Sequence, residues 1–293
     1  MTLALHPLDH LVLPTAGLDT ARQRLEALGF TVAPMGVHPF GTRNCCVYLA
    51  DGTFMEPLAI GDAAVADDAA RAGNVFVARD REYRERLGEE GFSAVVFSTG
   101  DADADHARYV EAGISAGERL DFSRPFLDAQ GRSDTASFRL AFASGRDTPD
   151  AFVFACERVN APKVDRAALE RHANGAAAIR EIVAVSDDPS GQARILACAA
   201  GEVDGAVARG CELALPNALL TVLDAAAFEA RCGIAAGAAS RLRFMAVVFD
   251  VAHIGAVGKI LAENAIDHHL RGDSVVVPAV PGQGAHFIFR EKA

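Results

Sequence analysis

Leu8-Asp9-His10-Leu11-Val12-Leu13 is the stretch from which the rest of the 293-residue chain can be read. It is short, apolar and rich in residues that favour extended backbone, so it reads as a strand. Strict alternation puts Leu8, His10 and Val12 on one face and Asp9, Leu11 and Leu13 on the other. The next segment carries Leu18, Ala21, Leu25 and Leu28 at helical spacing, with Asp19 placed to cap it and Gly29 to end it. Three strand-like runs follow, at residues 30–33, 45–50 and 53–60, the last two joined by the turn Asp51-Gly52. Pro39 and Gly41 make residues 37–44 irregular. In the last run Phe54, Glu56 and Leu58 share a face.

This strand-helix-strand-strand-strand pattern recurs. His10-Leu11-Val12-Leu13, Ser93-Ala94-Val95-Val96, Glu181-Ile182-Val183-Ala184 and Met245-Ala246-Val247-Val248 each precede a helical segment. Repeats spaced by roughly 60 to 90 residues are too long for a solenoid and indicate a duplicated module. The expected class is α+β: four βαβββ modules paired into two domains, residues 1–160 and 179–293. Residues 161–178 form the expected linker, with a helix capped by Asp165. Residues 61–91 read as a connection with one or two helices. Only the first module keeps both a histidine in its first strand and a glutamate in its last.

The net charge of −11 argues against nucleic acid or an anionic membrane as partner, because both require a basic surface. No run approaches the ~20 apolar residues of a membrane helix. The first residues carry no basic segment, so a cytoplasmic location is expected. Cys45, Cys46, Cys156, Cys198, Cys211 and Cys232 match no zinc-knuckle spacing and read as reduced thiols. A homodimer is the expected assembly.

The four units resemble the βαβββ modules of the vicinal oxygen chelate superfamily, which includes glyoxalase I, extradiol dioxygenases and the bleomycin and fosfomycin resistance proteins. Three segments resemble its glyoxalase-like domain proteins in particular. They are Leu8-Asp9-His10-Leu11-Val12; His38-Pro39-Phe40-Gly41-Thr42-Arg43-Asn44 with Asp51-Gly52-Thr53-Phe54-Met55-Glu56; and Arg171-His172-Ala173-Asn174-Gly175-Ala176. The resemblance implies the paired-module fold and a small-molecule site. It also implies that His10 and Glu56 occupy the places where metal-using relatives carry ligands for Zn, Fe, Mn or Ni.

The other modules depart from that pattern. Ser93 stands where a second histidine is expected, and Phe154 or Cys156 where a second glutamate is. Glu181 with Thr221, and Met245 with Ile288, occupy the places in modules three and four. A metal therefore needs a third ligand, with His38 the first candidate and His172 the second. Asn44 and Asn174 are further substrate-binding candidates. Among Arg43, Arg124 and Arg139, the last is the preferred anion binder, because it alternates with apolar residues in Phe138-Arg139-Leu140. The expected activity is a metal-dependent lyase, isomerase or oxygenase, with His10 and Glu56 catalytic. Two alternatives stand beside it: a metal-free binding or sequestering protein of the bleomycin-resistance type, and a metal-free enzyme using His10 and Glu56 as an acid–base pair.

Overall fold

The computed structural model describes residues 5–127, 133–145, 148–161, 165–202, 211–237 and 241–292. The first unit holds β1 (Leu8–Pro14), α1 (Leu18–Ala27), β2 (Gly36–Val37), β3 (Thr42–Asn44), β4 (Val47–Tyr48) and β5 (Phe54–Ile60). Helices α2 (Ala63–Arg71) and α3 (Val75–Leu87) lead to the second unit. That unit holds β6 (Ala94–Thr99), α4 (Ala102–Glu111), β7 (Leu120–Leu127), β8 (Ser133–Ala143) and β9 (Phe152–Asn160). The third holds β10 (Ala176–Val185), α5 (Pro189–Ala199), β11 (Glu212–Ala214) and β12 (Leu219–Leu223). After α6 (Ala225–Cys232) comes the fourth: β13 (Arg243–Val251), α7 (Ile254–Glu263), β14 (His269–Arg271), β15 (Ser274–Val277) and β16 (His286–Glu291).

Units one and two share one sheet, ordered β2-β3-β5-β1-β6-β9-β8-β7, with β4 also paired to β5. Units three and four share another, ordered β11-β12-β10-β13-β16-β15-β14. In every unit the first and last strands are parallel neighbours. That single rule brings His10 of β1 beside the strand that carries Glu56.

Several local expectations differ from the structure. Gly17, not Asp19, is the N-cap of α1. Residues 30–33 join no ladder; the guanidinium of Arg22 takes the carbonyls of Val32 and Ala33 at 3.1 and 2.6 Å instead. Asp165 caps only a turn, through Ala167 N–H at 3.0 Å. Strand β10 begins at Ala176, inside the expected linker.

One core serves both sheets. Leu11, Leu13, Met55, Val95 and Phe97 from the first pack with Ile182, Ala184, Val247, Phe249 and Phe287 from the second. Phe30 lies at their junction, with its ring 5.3 Å from that of Phe249 and 5.9 Å from that of Phe287. The opposite faces form two smaller clusters. In the first sheet, Val12, Leu58, Val96 and Phe154 pack beneath Phe76 and Val77 of α3. Gly41 makes this cover possible: at φ +87° it lies so close to α2 that a Cβ would meet Ala66 N at 2.6 Å. In the second sheet, Phe228 and Cys232 of α6 fill the corresponding face. There Glu181 is buried and consumed internally, bound by the Thr221 hydroxyl at 2.6 Å and by Arg231 at 2.8 and 2.6 Å. No helix among the described residues is long and apolar enough to cross a membrane.

Candidate functional site

Strand β1 does not alternate strictly. Its pairing with β6 slips between Leu8 and His10. The bulge sends Leu8 into the shared core with Leu11 and Leu13, and leaves Asp9 and His10 together on the other side. The Asp9 Oδ1 lies 2.8 Å from His10 Nδ1, an arrangement that two adjacent residues of a regular strand do not reach. Beyond it, the Arg158 guanidinium holds both Asp9 oxygens, at 2.5 and 2.6 Å. With Nδ1 engaged, His10 presents Nε2 to Glu56 Oε2, 3.5 Å away.

The parallel register of β1 and β5 explains this meeting. His10 pairs with Phe54 and Val12 with Glu56, so the imidazole and the carboxylate are diagonal neighbours on one face. The His10 ring stacks on Phe54 at 4.4 Å and meets the ring of Phe154 edge-on at 5.7 Å. Glu56 is buried and receives Asn44 Nδ2–H on Oε1 at 2.6 Å. His38 Nε2 faces the same oxygen at 3.6 Å. Its Nδ1 lies 2.8 Å from the Thr42 hydroxyl, and its ring stacks on Phe40.

These four side chains line one cavity of about 90 Å³, several times the room one water requires. Its walls are Phe40, Phe54, Phe76, Phe122, Phe138, Phe154 and Leu140, with Cys46, Cys156 and Tyr48 between them and Arg124, Arg158 and Arg166 completing the lining.

Charge states follow from these contacts. Burial pushes the Glu56 carboxyl up, but the His10 Nε2 facing it, the charge that both histidines carry at low pH and the Asn44 amide outweigh it and hold the pKa at about 2. Burial works against the His10 imidazolium, yet Asp9 on one side and Glu56 on the other raise its pKa. His38 lacks such support. Burial drops it to about 4, so it is neutral at pH 7. Burial also pushes the thiols of Cys46 and Cys156 well up, so neither is a thiolate nucleophile.

Imidazole and carboxylate are suitable donors for Zn, Fe, Mn or Ni. Their positions do not fit one ion. Oε2 of Glu56 faces His10, whereas Oε1 faces His38 and is occupied by the Asn44 amide. Among the described residues, no three His, Cys, Asp or Glu side chains converge on a metal position. His10, Glu56 and His38 thus share a cavity but not a point.

The remaining candidates lie elsewhere. Arg139 alternates onto the far face of β8, where Asp103, Asp121 and Glu157 lie 3.8 to 3.9 Å from it. Its neighbours Phe138 and Leu140 face the cavity instead. His172 is a structural tie. Its Nδ1 accepts from Thr31 N–H at 2.9 Å, and its Nε2–H donates to the Tyr48 carbonyl at 2.9 Å. Asn174 joins Leu28 O and Ala176 N–H at the end of α1. Arg43 is exposed. Ser93 lies one residue out of register: from β6, Ala94 and Val96 belong to the cavity-side cluster. Among the described residues of the second unit, the Cys156 thiol is thus the one metal donor that lines the cavity. Sequence reasoning missed Asp9, because alternation assigned it to the core face, and Arg158.

The family model for a glyoxalase-like domain matches residues 8–199. No curated protein matches the chain. Among solved structures, a hypothetical protein from Staphylococcus aureus shares 14% identity, with 97% of this chain and 99% of that chain covered and a TM-score of 0.65. A mutant 4-hydroxymandelate synthase from Streptomyces coelicolor shares 13%, over 99% and 93%, with a TM-score of 0.56. A Mn(II)-bound glyoxalase from Novosphingobium aromaticivorans shares 11%, over 98% and 82%, with a TM-score of 0.50. At these identities the solved structures speak to fold. Together with the family match and the four paired modules, they establish that the chain belongs to the glyoxalase-like domain family of the vicinal oxygen chelate superfamily.

Proposed function

We propose that the first-sheet cavity is the active site of a small-molecule enzyme of the lyase or isomerase class, which moves a proton beside a substrate carbonyl or hydroxyl. The observation that carries this is the Glu56 carboxylate, buried among His10, His38 and Asn44 at the base of an aromatic cavity, with His10 oriented by Asp9. A base whose neighbour is aligned by a third group is the general arrangement for acid–base work.

The roles follow from the geometry. A substrate oxygen entering between His10 Nε2 and Asn44 Nδ2 takes over the donors that now serve Glu56. Withdrawing those donors raises the basicity of Glu56, and the same N–H groups stabilise the charge developing on the oxygen. Glu56 then removes the proton from the adjacent carbon, and His10 returns one. The His10–Glu56 distance of 3.5 Å is long for a hydrogen bond and leaves that exchange open.

The test is proton exchange. In D2O, α-keto and α-hydroxy acids incubated with the protein should exchange a C–H proton, read by NMR, and Glu56→Gln should abolish it. Ligand binding without exchange by any compound would instead favour a binding or sequestering protein.

One observation favours a metal-dependent reading as well. Asp9 and Thr42 engage the Nδ1 atoms of both histidines and turn both Nε2 atoms toward Glu56, as in many metal sites. Metal content of untagged protein decides this. Near-stoichiometric Zn, Fe, Mn or Ni, lost in His10→Ala, would show that the donors close around an ion.

A further inference from the structure

We infer that Arg124 anchors an anionic group of the substrate and that the substrate is a small aryl carboxylate, a flat apolar body bearing one negative charge. The inference rests on the cavity being a substrate site, but on no particular reaction.

The first observation is a seam. Strands β2 and β7 are the two ends of the first sheet, yet the Arg124 side chain of β7 comes back against Gly36 of β2. A Cβ on Gly36 of β2 would lie 2.8 Å from Arg124 Nη1 of β7 and closer still to the Asn44 amide oxygen. A side chain at position 36 would collide with both, so glycine there leaves room for the guanidinium and for the Asn44 side chain that holds Glu56. Arg124 is thereby placed one residue away from the acid–base group.

The second observation is charge. Arg158 is consumed by Asp9, and Glu56 faces His10. Among the described residues, Arg124 has no carboxylate within ion-pair distance. It is half-buried against the Phe138 ring, 6.0 Å from the ring centre. A guanidinium in an apolar wall without a counter-charge is costly alone and strongly favours an incoming carboxylate, which it can hold with two N–H groups.

The third observation is the wall. The rings of Phe40 and Phe122 are 5.2 Å apart, and those of Phe122 and Phe138 are 5.0 Å apart. Among the described residues, no serine, threonine, glutamine or lysine lines the cavity. Such a surface offers stacking to a ring and little to a sugar or polyol.

The test is binding of benzoate by calorimetry, beside benzamide (the same shape without charge) and acetate (the charge without the ring). Benzoate should bind at least about tenfold more tightly than either, and Arg124→Gln should remove that advantage while leaving benzamide unchanged. Gly36→Ala should weaken benzoate similarly, with the urea unfolding midpoint checking that each variant is folded. Failure of the folded wild type to bind benzoate, equal affinity for benzamide, or unchanged benzoate affinity in Arg124→Gln would each overturn the inference. Glu56→Gln separates it from the proposed reaction. That variant should lose proton exchange yet bind benzoate at least as tightly, since a negative charge has left the cavity. Exchange without benzoate preference sinks only the substrate class; benzoate preference without exchange sinks only the reaction.

Discussion

Arg158 grips Asp9 with both terminal nitrogens, and the same carboxylate holds His10 Nδ1 at 2.8 Å. The pair spans β9 and β1, which are not adjacent in the sheet. It reaches its geometry only because the bulge turns Asp9 out of the core.

Removing one member should therefore be felt in both stability and catalysis. Asp9 is nearly inaccessible, so Asp9→Asn leaves a guanidinium without its carboxylate and gives the imidazole a neutral partner that no longer favours its charged form. Breaking a buried pair costs up to several kcal/mol; because Arg158 still reaches water, about 2–3 kcal/mol is expected in urea unfolding. Proton exchange should fall along with it, and Asp9→Glu should not restore it fully, because the longer side chain shifts the ring.

Glu56→Gln keeps the shape and the contact with Asn44 but removes the base. Exchange should drop by at least about 10²-fold, the usual scale for a general base, with an unchanged circular dichroism spectrum. A drop smaller than threefold, by any chosen substrate, would assign the proton to another group.

Acid should destabilise the protein in two overlapping windows. His38 is held neutral, its folded pKa of about 4 lying below the ordinary 6.5. The unfolded chain takes up that proton first, so stability falls as pH drops from about 6.5 toward 4. Glu56, depressed from 4.5 to about 2, contributes stability that is complete above about 4.5 and lost as pH falls toward 2. Urea unfolding at a series of pH values should show both, and His38→Gln should reduce the upper window without abolishing it, because His286 is also held at about 4.

Phe30 tests whether the two sheets fold as one. Its ring contacts Phe249, Phe287 and Phe289 of the second sheet from the loop that follows α1 in the first unit. Phe30→Ala should cost about 3–5 kcal/mol and lower a single cooperative transition. Two separate transitions in the wild type would show that the shared core does not couple the sheets.

Much of this fold was legible. The apolar strands before amphipathic helices, the Asp51-Gly52 turn and the repeated unit are local patterns, and each unit pairs its first and last strands. His10 and Glu56 were legible for the same reason: alternation assigned each to a face, and parallel pairing of β1 with β5 made those faces one. Strand β7 was not legible, since Pro125 and the polar residues around it hide the alternation. Helix α6 was not legible either, and it fills the face that a second site would need.

What the chain determines by itself is which residues can share a strand face, because side-chain direction repeats every two residues. What only the tertiary structure decided is where that period breaks and which distant faces meet. A one-residue slip in β1 moved Asp9 from the core side to the side of His10, and the return of Arg124 against Gly36 chose it over Arg139. Both outcomes depend on strand pairs far apart in sequence, whose register is set by burying the shared core and not by any local preference.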